Sequence, residues 1–240
     1  GGASATSPLT GKEYNLAKPW DSSSEKVFVS KDAPFINECD PDHSTGATTY
    51  KIFGSGEKDS GSKGLLPGLV ANFSADGSMG GFAGYENVRE FHKGKSGAQL
   101  HYCDVMKGFR PEQVPVISSL AKEFALFERF FASVPGPTWP NRMFTLSGTS
   151  AGSTETSVWY HDKEFQLFPQ KTIFDQLEEQ QPPRHWRNYF NDTPWELFME
   201  KIAHSPENLQ PLTQFYKDCQ AGSLPAFSWL NPRSGIDFAN

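Results

Sequence analysis

Cysteine is scarce in this chain of 240 residues: Cys39, Cys103 and Cys219 stand far apart and match no zinc spacing, so the arithmetic allows one disulfide and one free thiol. No apolar run approaches the roughly 18–20 residues that cross a bilayer, and no basic-then-apolar leader follows Gly1. Basic charge is also short. Lys and Arg number 22 against 28 Asp and Glu, a net charge of −6, which offers nucleic acid or anionic lipid no global attraction. Nucleic-acid binding is disfavoured as the main role, and a phosphate-bearing ligand would need a local site. A phosphate loop is lacking as well: Gly56 to Lys63 has its outline, but the lysine is misplaced, no apolar strand leads in, and Glu57 and Asp59 would repel phosphate. No internal repeat is present. The chain reads as soluble, with secretion or a membrane surface as the open alternatives.

The length suits one sizeable α/β domain. Residues 1–25 and 54–64, rich in Gly, Ser, Lys and Asp, read as loop excursions from it. Lys26 to Val29 is a short strand candidate, Ser44 to Phe53 a short helix capped by Ser44, and Tyr85 to His92 a weaker helix. The clearest helical spacing joins Ile117, Leu120, Ala121, Phe124, Phe127 and Phe131, predicting a helix from Pro115 to about Phe131. Core packing is the economical reading of Phe124, Phe127, Phe130 and Phe131. Beyond it, Arg142 to Ser147 is ambiguous. Thr172 to Gln180, Trp195 to His204 and Leu209 to Cys219 read as helices, and Trp186 to Phe190 and Ala226 to Leu230 as strands. Helices separating short apolar strands imply a largely parallel sheet.

Prolines at 135, 137 and 140 stiffen the segment Val134-Pro-Gly-Pro-Thr-Trp-Pro-Asn-Arg142 and aim Thr138 in a defined direction. If a helix opens at Trp139, Thr138 stands at or near its N-cap, where backbone N–H groups and the macrodipole favour an anion. Asn141 and Arg142 add neutral and cationic donors of the kind that clamp phosphoryl oxygens. Local chemistry alone reads Thr138 as a helix cap.

Two further motifs carry chemistry. Gly148-Thr149-Ser150-Ala151-Gly152 matches the nucleophile elbow of α/β-hydrolases, with Ser150, Asp192 and His204 in triad order, but residues 153–158 are poor helix material where the elbow needs a helix. Asp40-Pro41-Asp42-His43-Ser44 brings two carboxylates and an imidazole before a helix, a set that serves a metal, an acid/base step, or merely an Asx-Pro turn. The triplets at Asn72 and Asn191 fit the glycosylation sequon.

Phe124 to Pro135 followed by Thr138-Trp139-Pro140-Asn141-Arg142 resembles the phosphoesterase family of plant non-specific phospholipases C, bacterial phospholipases C and related acid phosphatases. Val105 to Glu112, Asp40 to Ser44 and Leu9 to Asn15 extend the likeness over nearly the whole chain. The resemblance implies a three-layer alkaline-phosphatase-like α/β fold, with Thr138 as nucleophile and His43 near the transferred phosphoryl group. Asn141 and Arg142 would shape the substrate pocket. It implies a divalent metal touching Thr138, with the other ligands on acidic segments expected before Gly1 and after Asn240. The single domain of residues 1–240 would thus be truncated at both termini and inactive alone. The implied activity is phospholipase C-type hydrolysis of a phospholipid or other phosphate ester, with peripheral membrane contact. The alternatives are an acid phosphatase-like phosphomonoesterase, a carboxylesterase using Ser150, and an inactive phospholipid-binding homologue.

Overall fold

The computed structural model describes residues 11–18, 21–37, 39–53, 79–96, 101–127, 130–156 and 167–233. They fall into two compact units, Gly1–Pro137 and Thr138–Asn240, each described by itself. The loop expected at 54–64, the sequon at Asn72 and the likeness at Leu9 and Thr10 lie outside the described residues.

In the first unit, strand β1 (Tyr14–Leu16) pairs antiparallel with β2 (Lys26–Phe28), Tyr14 opposite Phe28. Part of the expected loop 1–25 is therefore a strand. Its partner and a cross-strand aromatic pair, with Tyr14 and Phe28 rings 5.5 Å apart and Lys26 Nζ 4.4 Å from the Tyr14 ring, outweigh its polar neighbours. Helix α1 (Thr45–Phe53) starts where expected, because the Ser44 hydroxyl accepts the Ala47 N–H at 3.3 Å. Helix α2 (Phe82–His92) packs on α1 and β1.

Helix α3 covers Pro115–Glu123 only. Phe124 is extended (φ −127°, ψ −174°), which ends the helix eight residues before Phe131. The expected packing of its aromatics also fails: Phe124, Phe127, Phe130 and Phe131 are 72–77% exposed. The spacing is helical, but the chain's core lies elsewhere.

The second unit holds that apolar core. Helix α4 (Thr138–Ser147) contributes Trp139, Met143 and Leu146, helix α5 (Ile173–Glu178) contributes Phe174, and strand β3 (Trp186–Phe190) contributes Trp186. Phe198, Met199 and Ile202 complete the cluster. The Trp139 ring stacks on Phe198 at 5.2 Å, and the Phe174 and Trp186 centroids are 4.3 Å apart. Thr172 caps α5 reciprocally with Asp175.

Strands β4 (Leu209–Pro211) and β5 (Phe227–Asn231) flank β3, and both pair with it in parallel. The sequence pattern predicts one helix from Leu209 to Cys219. Instead its first three residues form an edge strand, where Pro211 needs no ladder donor, and helix α7 (Leu212–Ala221) follows. The expected helix Trp195 to His204 is likewise broken, into a 3-10 turn Trp195–Phe198 and helix α6 (Glu200–Ala203). Its hinge is Met199 (φ −82°, ψ 128°), whose neighbours pair with Phe168: the Phe168 N–H donates to Phe198 O, and the Glu200 N–H to Phe168 O, each at 2.9 Å. Tertiary pairing overrides helix propensity there. The fold is thus mixed α/β with a parallel three-stranded sheet. No helix among the described residues is long and apolar enough to cross a membrane.

Candidate active site

His43 is exposed on the loop that enters α1, and a buried polar cluster holds that loop. Glu86 of α2 is fully buried, and its Oε1 accepts the Lys51 ammonium at 2.6 Å and the Asp42 backbone N–H at 3.0 Å. Lys51 also donates to Asp42 O, and Arg89 Nη1 to Asp40 O, both at 2.5 Å. The Asp42 side chain turns inward, accepting from the Ser44 N–H at 3.0 Å and the Tyr85 hydroxyl at 2.9 Å. Burial disfavours its charge, but hydrogen bonds from Ser44 and Tyr85 and the field of Lys51 outweigh it and lower its pKa. Asp42 is thereby a structural anchor, and His43 alone of the pair faces solvent. The imidazole Nδ1 lies 2.9 Å from Pro41 O, an acceptor only, so Nδ1–H donates there and Nε2 is the ring nitrogen left for a further partner.

The other end of α2 fixes a second turn. Glu90 Oε2 accepts the N–H groups of His101 and Tyr102 at 3.0 and 2.8 Å. Tyr102, Cys103 and Asp104 all have positive φ (51–54°), a conformation that non-glycine residues adopt at a cost, and the Cys39–Cys103 disulfide pins it. That disulfide ties the turn to a point four residues before His43. Cys219 is the free thiol and is exposed.

The proline-rich loop docks in the same unit. A Cβ on Gly136 would sit 2.5 Å from Thr45 Oγ1 and 3.4 Å from its Cα, so a larger residue would have to displace the Thr45 side chain in the first turn of α1.

Thr138 is the first residue of α4 and is exposed, while Pro137, Trp139 and Pro140 around it are buried. Three anchored neighbours hold one outward hydroxyl, which makes no hydrogen bond among the described residues. The helix start is less rich in donors than its length implies. Pro140 has no N–H, and the Trp139 N–H points to Thr156 Oγ1 at 3.5 Å. Asn141 and Arg142 follow within the first turn and a half, both half-buried.

Arg142 Nη1 donates to Glu196 Oε1 at 2.6 Å and Asn231 Oδ1 at 3.1 Å, with the guanidinium 5.6 Å from the Trp195 ring centre. Glu196, Asn188 and Asn231 are fully buried. Glu196 Oε2 accepts from the Asn188 and Asn231 amides at 2.9 and 2.8 Å, and Asn231 also donates to Asn188 Oδ1 at 2.9 Å. This network joins α4 to strands β3 and β5. Sequence reasoning missed it, as it missed Lys51 and Glu86. The available signal was a charged residue inside an apolar run, Tyr-Lys-Ile-Phe at 50–53 and Trp-Glu-Leu-Phe at 195–198.

The Gly148–Gly152 motif follows helix α4 and enters a turn with Ala151 at φ 50°. An elbow requires strand, turn, helix; here the order is helix, turn, and no helix follows through residue 156. Ser150 is buried (6% exposed), and His204 lies at the end of α6 beside Glu200, Nδ1 to Oε1 3.8 Å. Asn191 of the second sequon is exposed just past β3.

Among the described residues one trio of metal-capable side chains converges, Cys39, Glu86 and Cys103, with donor atoms within 4.8 Å. It does not suit a divalent ion. Both sulfurs are consumed by the disulfide, and Glu86 is bound by Lys51 and Arg89. Thr138 offers one oxygen, which alone cannot hold a metal.

Comparison with known proteins bears on this arrangement. A model of the phosphoesterase family matches residues 5–237. Non-specific phospholipase C6 of Arabidopsis thaliana is 37% identical over 230 residues, covering 94% of this chain and 38% of that protein. Non-specific phospholipase C1 of the same plant is 35% identical (94% and 37%), and non-specific phospholipase C4 also 35% (91% and 37%). The chain therefore spans under two fifths of the length of these relatives. With the family model matched over almost all of its residues, this chain belongs to the phosphoesterase family.

Proposed function

We propose that the full-length protein is a hydrolase of phosphate esters that cleaves phospholipids in the manner of a phospholipase C, with Thr138 as its nucleophile. The observation that carries this reading is the outward, unbonded hydroxyl of Thr138, held at the start of α4 by three buried neighbours. Relatives named as non-specific phospholipases C supply the substrate class. The oxygen of Thr138 attacks phosphorus, the bond from phosphorus to the glycerol oxygen breaks, and that oxygen leaves as diacylglycerol after taking a proton. Water then hydrolyses the threonine ester, releasing the head-group phosphate and restoring the hydroxyl. His43 is assigned a proton-handling role through Nε2, supported by the Nδ1–Pro41 contact that engages the other ring nitrogen. Asn141 is assigned to bind a phosphoryl oxygen. Arg142, with Nη1 already engaged by Glu196, contributes chiefly by fixing α4.

The surrounding architecture is proposed to be the three-layer alkaline-phosphatase-like fold of this family, of which the parallel β4-β3-β5 sheet is a part. Phospholipid substrates require peripheral contact with a bilayer. The Cys39–Cys103 disulfide supports an oxidising compartment.

The test is diacylglycerol release from phosphatidylcholine vesicles by the full-length protein. Thr138→Ala should lower kcat by at least about a thousandfold, since it removes the attacking atom, and Ser150→Ala should leave it within a few-fold. Loss of turnover in Ser150→Ala with retention in Thr138→Ala would reverse the assignment.

A further inference from the structure

The peptide bond between Pro41 and Asp42 is gripped from both sides. Its N–H donates to Glu86 Oε1 at 3.0 Å, and its carbonyl accepts from His43 Nδ1 at 2.9 Å. A peptide unit is planar, with N–H and C=O pointing opposite ways. Fixing the N–H therefore fixes the direction of the carbonyl. We propose that Glu86 is a positioning residue for His43, acting through this one peptide plane to hold the imidazole in its Nδ1–H form with Nε2 directed outward. The inference rests on the reading of His43 as the proton-handling group.

Three features suit Glu86 to this task. The carboxylate is fully buried, while the His43 side chain is 59% exposed, so an ordered interior group sets the orientation of a surface one. Lys51, its side chain 4% exposed, and Arg89 hold the Glu86 carboxylate in place, at 2.6 and 3.1 Å. The same two cations hold the flanking carbonyls of Asp42 and Asp40, leaving the plane no freedom to turn. A carboxylate that accepts an amide N–H also strengthens the acceptor at the far end of that amide. The arrangement does for His43 what a directly bonded carboxylate does for an imidazole elsewhere, with a peptide inserted between them. Asp40 does not take that place: its nearest oxygen is 3.8 Å from Nδ1, and its side chain is 84% exposed.

The test separates positioning from mere stability. Lys51→Met/Glu86→Leu replaces the buried pair by apolar side chains of similar volume, which commonly preserves stability, yet removes the acceptor of the Asp42 N–H. Glu86→Gln keeps an amide oxygen that can accept it. In this chain, long-range 15N–1H spectra of the imidazole should show His43 as the Nδ1–H form in the parent and in Glu86→Gln, and as a mixture of tautomers in the double variant. In the full-length protein, kcat on phosphatidylcholine vesicles should fall about ten- to a hundredfold in the double variant with KM little changed, as expected for a misplaced reacting group. Glu86→Gln should stay within a few-fold. The proposal is overturned if the folded double variant keeps both the parent tautomer and the parent kcat, or if Glu86→Gln alone scrambles the tautomer while melting as the parent does. Unchanged turnover in His43→Ala would remove the catalytic reading and leave the spectroscopic result to decide the positioning.

Discussion

Replacing Arg142 by methionine isolates what the buried network contributes to the second unit. The substitution keeps the aliphatic stem and removes the guanidinium, so Glu196 Oε1 loses its 2.6 Å partner while Oε2 keeps the two asparagine amides. Stripping one member from a buried ion pair costs about 3–5 kcal/mol when both members are dry. The Glu196 side chain is fully buried, but that of Arg142 is 27% exposed, so water already screens part of the pair and about 2–3 kcal/mol is the better expectation. For a chain of this length each kcal/mol moves the melting temperature by about 2–4 °C, so the midpoint should drop by about 5–10 °C in calorimetry. Adding Glu196→Gln to Arg142→Met removes the stranded charge and should recover more than half of the loss. A shift below about 2 °C for Arg142→Met, or no recovery in the double variant, would show that the network carries little free energy.

Gly136→Ala should destabilise the first unit by about 1–3 kcal/mol through the 2.5 Å clash with Thr45 Oγ1, and Thr45→Ala should recover most of it in urea titrations. Reducing the Cys39–Cys103 disulfide reopens a span of 64 residues and should cost up to about 4 kcal/mol by loop entropy; a Cys39→Ser/Cys103→Ser variant with an unchanged urea midpoint would contradict this. Asp42, whose pKa is lowered in the fold, contributes stability above its unfolded value of about 4, and that contribution is lost as pH falls through the folded pKa. The urea midpoint should therefore fall between about pH 5 and pH 2, and Asp42→Asn should flatten that dependence.

Local signals were legible where a residue's own neighbours decide its conformation. Ser44 and Thr172 both cap the helices expected after them, and Trp186–Phe190 forms its strand with the expected bounds. Boundaries set by distant pairing were not. The break at Met199 comes from Phe168, thirty-one residues earlier, and the strand at Leu209 comes from β3. The helical spacing through Phe131 is real in the sequence but carries no information on where the backbone turns extended. For the site, the family resemblance and not local chemistry singled out Thr138 and His43, whereas Glu86, which holds the Asp42 backbone, and Glu196, which holds Arg142, lie 44 and 54 residues from those partners and left only the trace of a charge among apolar neighbours.

The two units solve one physical problem in the same way. Each presents an exposed polar side chain at the start of a helix, Thr138 in one and His43 in the other, and a side chain left in water cannot be fixed by its own burial. Thr138 is fixed by its buried neighbours and by Arg142, which a buried carboxylate holds to the sheet. His43 is fixed by the backbone on either side, which a second buried carboxylate holds to α2. A buried ion pair is weak evidence for stability, because burying both charges costs about as much as their attraction returns. Its directional hydrogen bonds, unlike apolar contacts, specify orientation to within a fraction of an ångström. Glu86 and Glu196 are thus better explained by what they aim than by what they stabilise.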